Sequence, residues 1–120
     1  MSIKFGNIEE LMCPNCNNGL LHQQGCEVFV RNEEDSEEGC HINVDLKIPE
    51  DQRWKDNGEP TITIDRSMVG NPSERRQGIA IRFKCEFCEP IYILHIIQHK
   101  GCTHIRWAKG SPARTGLNVE

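Results

Sequence analysis

Apolar and polar residues alternate with a period of two along much of the chain. Cys40, Ile42, Val44, Leu46 and Ile48 share one side of an extended segment, while His41, Asn43, Asp45 and Lys47 share the other. Successive side chains of a strand point to opposite faces, so this is the pattern of a half-buried β-strand. Cys26, Val28 and Val30 repeat it, as do Ile62 and Ile64, and as do Ile79, Ile81, Phe83 and Cys85 against Ala80, Arg82 and Lys84. The connecting stretches are rich in Gly, Pro, Asn and acids, as turns between strands are. A hairpin closes the pattern: residues 91–99 meet residues 102–107 across Lys100-Gly101, where glycine supplies the positive φ of a tight turn. With that two-residue loop, Leu94 opposes Trp107 and Ile96 opposes Ile105, and the opposite face carries His95, Ile97, His99, Cys102, His104 and Arg106. The expected fold is mainly β, a single antiparallel sheet with an apolar face and a wet polar face. The one helical signal is Asn7 to Met12, with an Asn cap and Glu9 and Glu10 in the first turn, too short to stand without packing.

Composition supports strands and a thin core. Thirteen isoleucines stand against six leucines, and β-branched side chains favour a pleated surface. Leu, Ile, Val and Phe together make up 28 of the 120 residues, little enough that a cross-link or a metal is expected to supplement burial. One domain over residues 1–110 and a mobile tail over 111–120 fit this length and the Ser-, Pro- and Gly-containing terminus. Residues 1–12 have no apolar stretch of the signal-peptide kind, and the longest unbroken apolar run is Ile91 to Leu94. The expectation is a cytoplasmic protein without a membrane association.

Charge is unevenly distributed. Residues 1–60 hold 13 acids and 5 bases, a charge of −8, and residues 61–120 hold 5 acids and 9 bases, a charge of +4. The run Glu33, Glu34, Asp35, Ser36, Glu37, Glu38 reads first as a solvated loop and second as a contact for a basic partner. Arg75, Arg76, Arg82, Lys84 and Arg106 supply the opposite sign.

Cysteine carries the strongest chemical signal. Seven is odd, and four of the seven form two C-x-x-C pairs, Cys13-Pro14-Asn15-Cys16 and Cys85-Glu86-Phe87-Cys88. Two intervening residues let a tight turn aim both thiolates at one ion while its N–H groups bond the sulfurs, so two such turns complete a tetrahedral sulfur shell. One structural zinc held by Cys13, Cys16, Cys85 and Cys88 is expected; two unrelated pairs, one of them redox-active, and iron in place of zinc are the alternatives. Cys26 and Cys40 fall on the apolar sides of their strands and read as small core hydrophobes. His95, His99, Cys102 and His104 share a strand face and form a second candidate metal set, against a plain reading as packed imidazoles.

The paired knuckles resemble those of zinc ribbon proteins, in which C-P-x-C and a second C-x-x-C hold one ion. The resemblance spans Cys13 to Leu20 and Cys85 to Pro90. It departs from the pattern at Asn17, where such knuckles commonly carry glycine, and in the 68 residues between the knuckles, which make most of the sheet an insertion. It implies a structural metal and a binding role toward nucleic acid or protein.

Motifs for catalysis are missing: no H-E-x-x-H, no H-x-E with P-C-x-x-C, no phosphate-cradling glycine loop and no G-x-S-x-G occurs. The expectation is therefore a non-enzymatic zinc protein that acts as a protein-interaction module, a regulator, adaptor or inhibitor of a larger complex, with no small-molecule substrate identified. Small size and the lack of catalytic motifs suggest a phage or mobile element as its source. Two alternatives remain: a nucleic-acid-binding ribbon using the basic C-terminal half, and a small metal-dependent hydrolase at His95, His99 and His104.

Overall fold

The computed structural model describes residue 3 and residues 10–47 and 59–110. Six strands follow one another: β1 (Leu21–Arg31), β2 (Glu38–Lys47), β3 (Glu59–Ser67), β4 (Gly78–Cys85), β5 (Ile91–His99) and β6 (Cys102–Gly110). They form one antiparallel sheet in the order β3-β2-β1-β4-β5-β6, which leaves β3 and β6 as its edges. Among the described residues there is no helix. Of the Asn7–Met12 helix signal, residues 7–9 lie outside the described residues and Leu11 makes a bridge of the extended kind. The proposed tail, residues 111–120, also lies outside them.

The C-terminal hairpin has the expected register, with Leu94 opposite Trp107 and Ile96 opposite Ile105. Its loop residues Lys100 and Gly101 both have positive φ, 50° and 80°, the left-handed pair that matches the twist of a two-residue hairpin. The first strand begins earlier than its alternation suggests. Leu21 to Gln24 carry no clean period because the pairing with β4 slips between Gln23 and Gly25. A side chain at Gly25 would collide with the Arg82 guanidinium and the Val44 carbonyl, so this slip needs glycine.

Register sorts the side chains into rows. One row crosses all six strands as Ile64, Ile42, Val28, Ile79, Ile96 and Ile105, and the next as Ile62, Val44, Cys26, Ile81, Leu94 and Trp107. On the opposite face the corresponding rows are Thr63, Asn43, Glu27, Ala80, His95 and Arg106, and Asp65, His41, Phe29, Gly78, Ile97 and His104.

The expectation of an apolar face inside and a polar face in water is corrected here. The polar side holds Glu27, Phe29, His41, Ala80, Arg82, Lys84, Ile93, His95 and Ile97, all buried. The apolar side leaves Val30, Val44, Ile62, Ile64 and Ile105 exposed. Cys40 is exposed and Cys26 half-buried, so neither is the core cysteine that alternation suggests. Charged groups can leave water only when they satisfy one another. Here they do: His41 Nε2 lies 2.9 Å from Glu27 Oε1, His41 Nδ1 lies 3.0 Å from Asp65 Oδ1, and Arg82 Nη1 donates to Glu27 Oε2 at 3.2 Å. Arg82 Nη2 also donates to Asn43 Oδ1, the Val44 carbonyl and Asp45 Oδ1. Phe29 stacks on the His41 ring at 4.3 Å. A period of two shows that a strand has two unlike faces, but not which one the fold withdraws from solvent.

At one end of the apolar face a compact cluster forms from Cys13, Phe83, Cys85, Tyr92 and Trp107, with Ile3, Leu11, Leu21, Ile81, Cys88 and Leu94 packed around it. This cluster is the floor of the metal-ligand site. At the other end Arg31 ties down residues 68–77 by donating to the carbonyls of Ser73, Glu74 and Arg76, while Ser73 Oγ donates to the Gln98 carbonyl.

Candidate metal centre

Both cysteine pairs sit on turns at the edge of that cluster. After Cys13 the chain turns back so that Asn17 N–H donates to the Cys13 carbonyl at 2.9 Å, and Cys13 N–H to the Asn18 carbonyl at 2.8 Å. Asn17 has φ 58°, the left-handed conformation for which glycine is common at this point of a knuckle. Asparagine tolerates it better than other side chains do, which explains the departure from the ribbon pattern. The second turn leaves the end of β4, and Glu86 N–H donates to the Leu20 carbonyl at 3.2 Å, which binds the two knuckles to each other through the backbone.

The four sulfurs meet at one point. The Cys13 and Cys88 Sγ atoms are 3.9 Å apart, those of Cys16 and Cys85 are 3.6 Å apart, and all four lie within 4.8 Å of one another. A tetrahedral ion with metal–sulfur bonds of about 2.3 Å requires sulfurs about 3.8 Å apart, so the cage has the size of a single ion. These separations are also far above a disulfide bond, about 2.05 Å. N–H groups turn toward the sulfurs as a thiolate shell needs: Asn15 N to Cys13 Sγ and Phe87 N to Cys85 Sγ, each at 3.4 Å. Asn15 adds its side-chain amide to Cys88 Sγ at 3.3 Å.

Electrostatics at the centre follow from burial and those bonds. Burial pushes the Cys85 thiol up to about 12, and raises Cys16 as well. The Asn15 amide holds Cys88 below its ordinary value. Tyr92 in the floor is raised to about 12, first by burial and then by the sulfur charges next to it. A buried thiol that is hard to ionise on its own, as Cys85 is, is stabilised as a thiolate by a cation, whose charge reverses the local preference. Four cysteines and no other donor fit a soft or borderline metal.

The remaining candidate residues fall in several places. His99, Cys102 and His104 are exposed, His99 and Cys102 are direct cross-strand partners, and the His99 and His104 rings lie 6.3 Å apart. His95 is 3% exposed, neither ring nitrogen has a hydrogen-bond partner among the described residues, and burial lowers it to about 4. Among the described residues, the cysteines Cys13, Cys16, Cys85 and Cys88 are the group that converges at metal-binding distance.

The acidic run and the basic loop lie side by side rather than at opposite ends of the sheet. Arg75 contacts Glu34 at 2.6 Å and Asp35 at 2.8 Å, and Arg76 contacts Glu34 at 3.0 Å. The Arg75 guanidinium holds the Asp35 carboxyl below its usual range. Glu33, Glu37 and Glu38 remain exposed. Arg82 and Lys84 are buried rather than wet: Arg82 serves Glu27, and Lys84 Nζ donates to the Cys88 and Glu89 carbonyls beneath the second knuckle. A cleft of about 340 Å³ beside the loop is lined by Ser73, Glu74, Arg75, His99, His104 and Arg106.

The Glu27–His41–Asp65–Arg82 network is not evident from the sequence. Its signal was present: Glu27, His41 and Arg82 occupy the same side of neighbouring strands, but their spacing along the chain gives no hint of their pairing.

No helix among the described residues is long and apolar enough to cross a membrane. No protein-family model matches the chain, no curated protein matches it, and no solved structure matches it. Four cysteines placed to hold one metal ion, on a six-stranded antiparallel sheet, are therefore the firm description of this protein.

Proposed function

We propose that this is a non-enzymatic zinc protein that works as a protein-interaction module, with one Zn²⁺ as a structural cross-link in a ribbon-like pair of knuckles. The observation that carries this reading is the closed sulfur cage: four thiolates fill a tetrahedral shell and leave no position for a substrate or an activated water. Zinc is the proposed occupant because a structural role needs no redox change; the sulfur spacing suits a mononuclear ion rather than a multi-metal cluster and fits a single iron equally. The metal then fixes residues 13–16 to the end of β4 and frees the rest of the sheet for recognition. Exposed Glu33, Glu37 and Glu38 next to the charge-balanced cluster of Arg75 and Arg76 with Glu34 and Asp35 give a partner an oriented charged rim.

Two measurements test the reading. Native mass spectrometry is expected to show one zinc per chain, lost when Cys88 is replaced by serine; a chain without bound metal overturns the structural-zinc part. Affinity capture from lysate of the source cells is then compared between the wild type and a Glu33, Glu37 to lysine variant, which spares the Glu38–Arg66 pair. Loss of a specifically captured protein is expected, and identical capture by both overturns the charged rim. Binding of a 20-nucleotide single strand at 50 mM salt, followed by anisotropy, is the arm for the nucleic-acid reading. Tight binding that falls steeply with salt would replace the protein partner by nucleic acid.

A further inference from the structure

Two aliphatic rows cross the sheet, and only the end beside the cysteine cluster has a described covering. There Leu11 and Ile3 pack against Phe83, Tyr92 and Trp107. Over β2 and β3 the same face is open: Ile62 is 66% exposed, Ile64 69% and Val44 40%, and Ile105 at the far edge is 54% exposed. Exposed apolar residues are common singly, but here they are cross-strand neighbours in two continuous rows. A β-sheet with one apolar face is stable when a second layer covers that face.

We infer that the covering layer is a second copy of this chain, packed face to face on the rows Ile64–Ile42–Val28–Ile79–Ile96–Ile105 and Ile62–Val44–Cys26. The inference names one partner for the interaction-module reading. Area favours it. Val30, Val44, Ile62, Ile64 and Ile105 together expose on the order of 500 Å², and the half-buried Val28, Ile42, Ile79 and Ile96 bring the patch toward the ~800 Å² per partner of a stable interface. Shape favours it as well. Rows of Ile and Val give a surface of even height, and two such sheets pack with their strands within about 30° of each other. A twofold axis through the patch places the same rows against each other, so one surface serves both partners. Its polar fringe is balanced: at the outer edge Arg66 on this face lies 3.5 Å from Glu38, an exposed pair that a second copy meets as neutral.

Sedimentation of the zinc-loaded 120-residue chain from 1 to 100 µM tests the inference. The expected species is a dimer of twice the 13.7 kDa chain mass, dissociating on dilution. Ile64→Lys is expected to raise the dimer dissociation constant at least a hundredfold, and the milder Ile64→Thr about tenfold. Position 64 is exposed within the chain, so metal content and the circular dichroism of the sheet should stay as in the wild type in both variants. Val69→Lys, in an exposed loop at 68% exposure, is the control and should leave the dimer intact. A wild type that is monomeric throughout, or a dimer equally strong in Ile64→Lys and in Val69→Lys, overturns the inference. Either result leaves the interaction-module reading to its own test, because the charge-reversal comparison concerns a different surface.

Discussion

Replacing Glu27 by alanine puts the inverted sheet to the sharpest test. Its carboxylate is 2% exposed and has two partners, Arg82 at 3.2 Å with a side chain 5% exposed, and His41 at 2.9 Å. Removing one member of a buried ion pair leaves the other charge unpaired in a poor solvent, which costs about 3–5 kcal/mol. Arg82 keeps Asn43, the Val44 carbonyl and the half-exposed Asp45, which moves the expected loss to the lower end. The His41 nitrogen that faces Glu27 loses its partner and adds about 1 kcal/mol. The net expectation is about 3–4 kcal/mol, a fall in melting temperature of roughly 10–20 °C for a domain of this size. Urea unfolding at pH 7 with zinc held in excess measures it, since binding to the folded form would otherwise shift the midpoint. Glu37→Ala, at an exposed position of the acidic run, is the comparison and should stay within about 0.5 kcal/mol. Replacing Glu27, His41 and Arg82 together by leucine, leucine and methionine should recover at least half of the loss, because it removes the uncompensated charge as well as the pair. A Glu27→Ala loss below about 1 kcal/mol, the worth of a surface pair, would refute the assignment of the polar side as the buried one.

Three further outcomes follow from the same geometry. Metal removal by a chelator, or Cys88→Ser, should abolish the cooperative thermal transition, because closing 68 residues costs on the order of 4 kcal/mol and a structural zinc contributes about 10 kcal/mol or more; calorimetry with and without metal reads this directly. His95 is held neutral by burial, with a value of about 4 against 6.5, so the unfolded chain binds the extra proton between those values. Stability should therefore fall as pH drops from about 6.5 to 4, by up to about 3 kcal/mol, and His95→Leu should flatten that slope in pH-resolved urea melts. At Asn17, with φ 58°, glycine should be neutral or slightly stabilising and valine should cost about 1–2 kcal/mol, with a matching loss of zinc affinity in competition with a chromogenic chelator.

What could be read from the sequence depended on the range of the interaction. The hairpin at Lys100-Gly101 was legible down to its register because a two-residue loop allows only one pairing. The strand segments were legible because alternation is local. The convergence of Cys13 and Cys16 with Cys85 and Cys88, 69 positions apart for Cys16 and Cys85, was legible because four thiolates have few other uses. What stayed hidden was long-range and electrostatic. Arg82 and Lys84 look like the solubilising side of a strand until Glu27, 55 positions away, and the Cys88 carbonyl are seen to receive them. Likewise Arg75 and Arg76 look like a free basic patch until Glu34 and Asp35 are found against them.

The position of the cysteine cluster makes sense of this inversion. A sheet that buries a polar network gains little net free energy from it, since desolvation nearly offsets the ionic attraction. Its apolar face gains by burial only where something covers it, at the cluster of Phe83, Tyr92 and Trp107 under the cysteines. A chain whose two faces yield so little needs a strong local cross-link, and the cysteine pairs stand where, among the described residues, the apolar face is covered. The metal and the proposed second copy are linked through the same face. If zinc holds one end of the aliphatic rows, the open end over β2 and β3 carries the apolar surface still to be buried. Zinc affinity and dimer strength should then be coupled through the sheet between them, each raising the other by the same factor. Measuring dimer dissociation with and without metal, and zinc affinity in wild type and in Ile64→Lys, gives that factor twice. Unequal values would break the thermodynamic cycle, and two factors of one would show that the ends of the sheet fold independently.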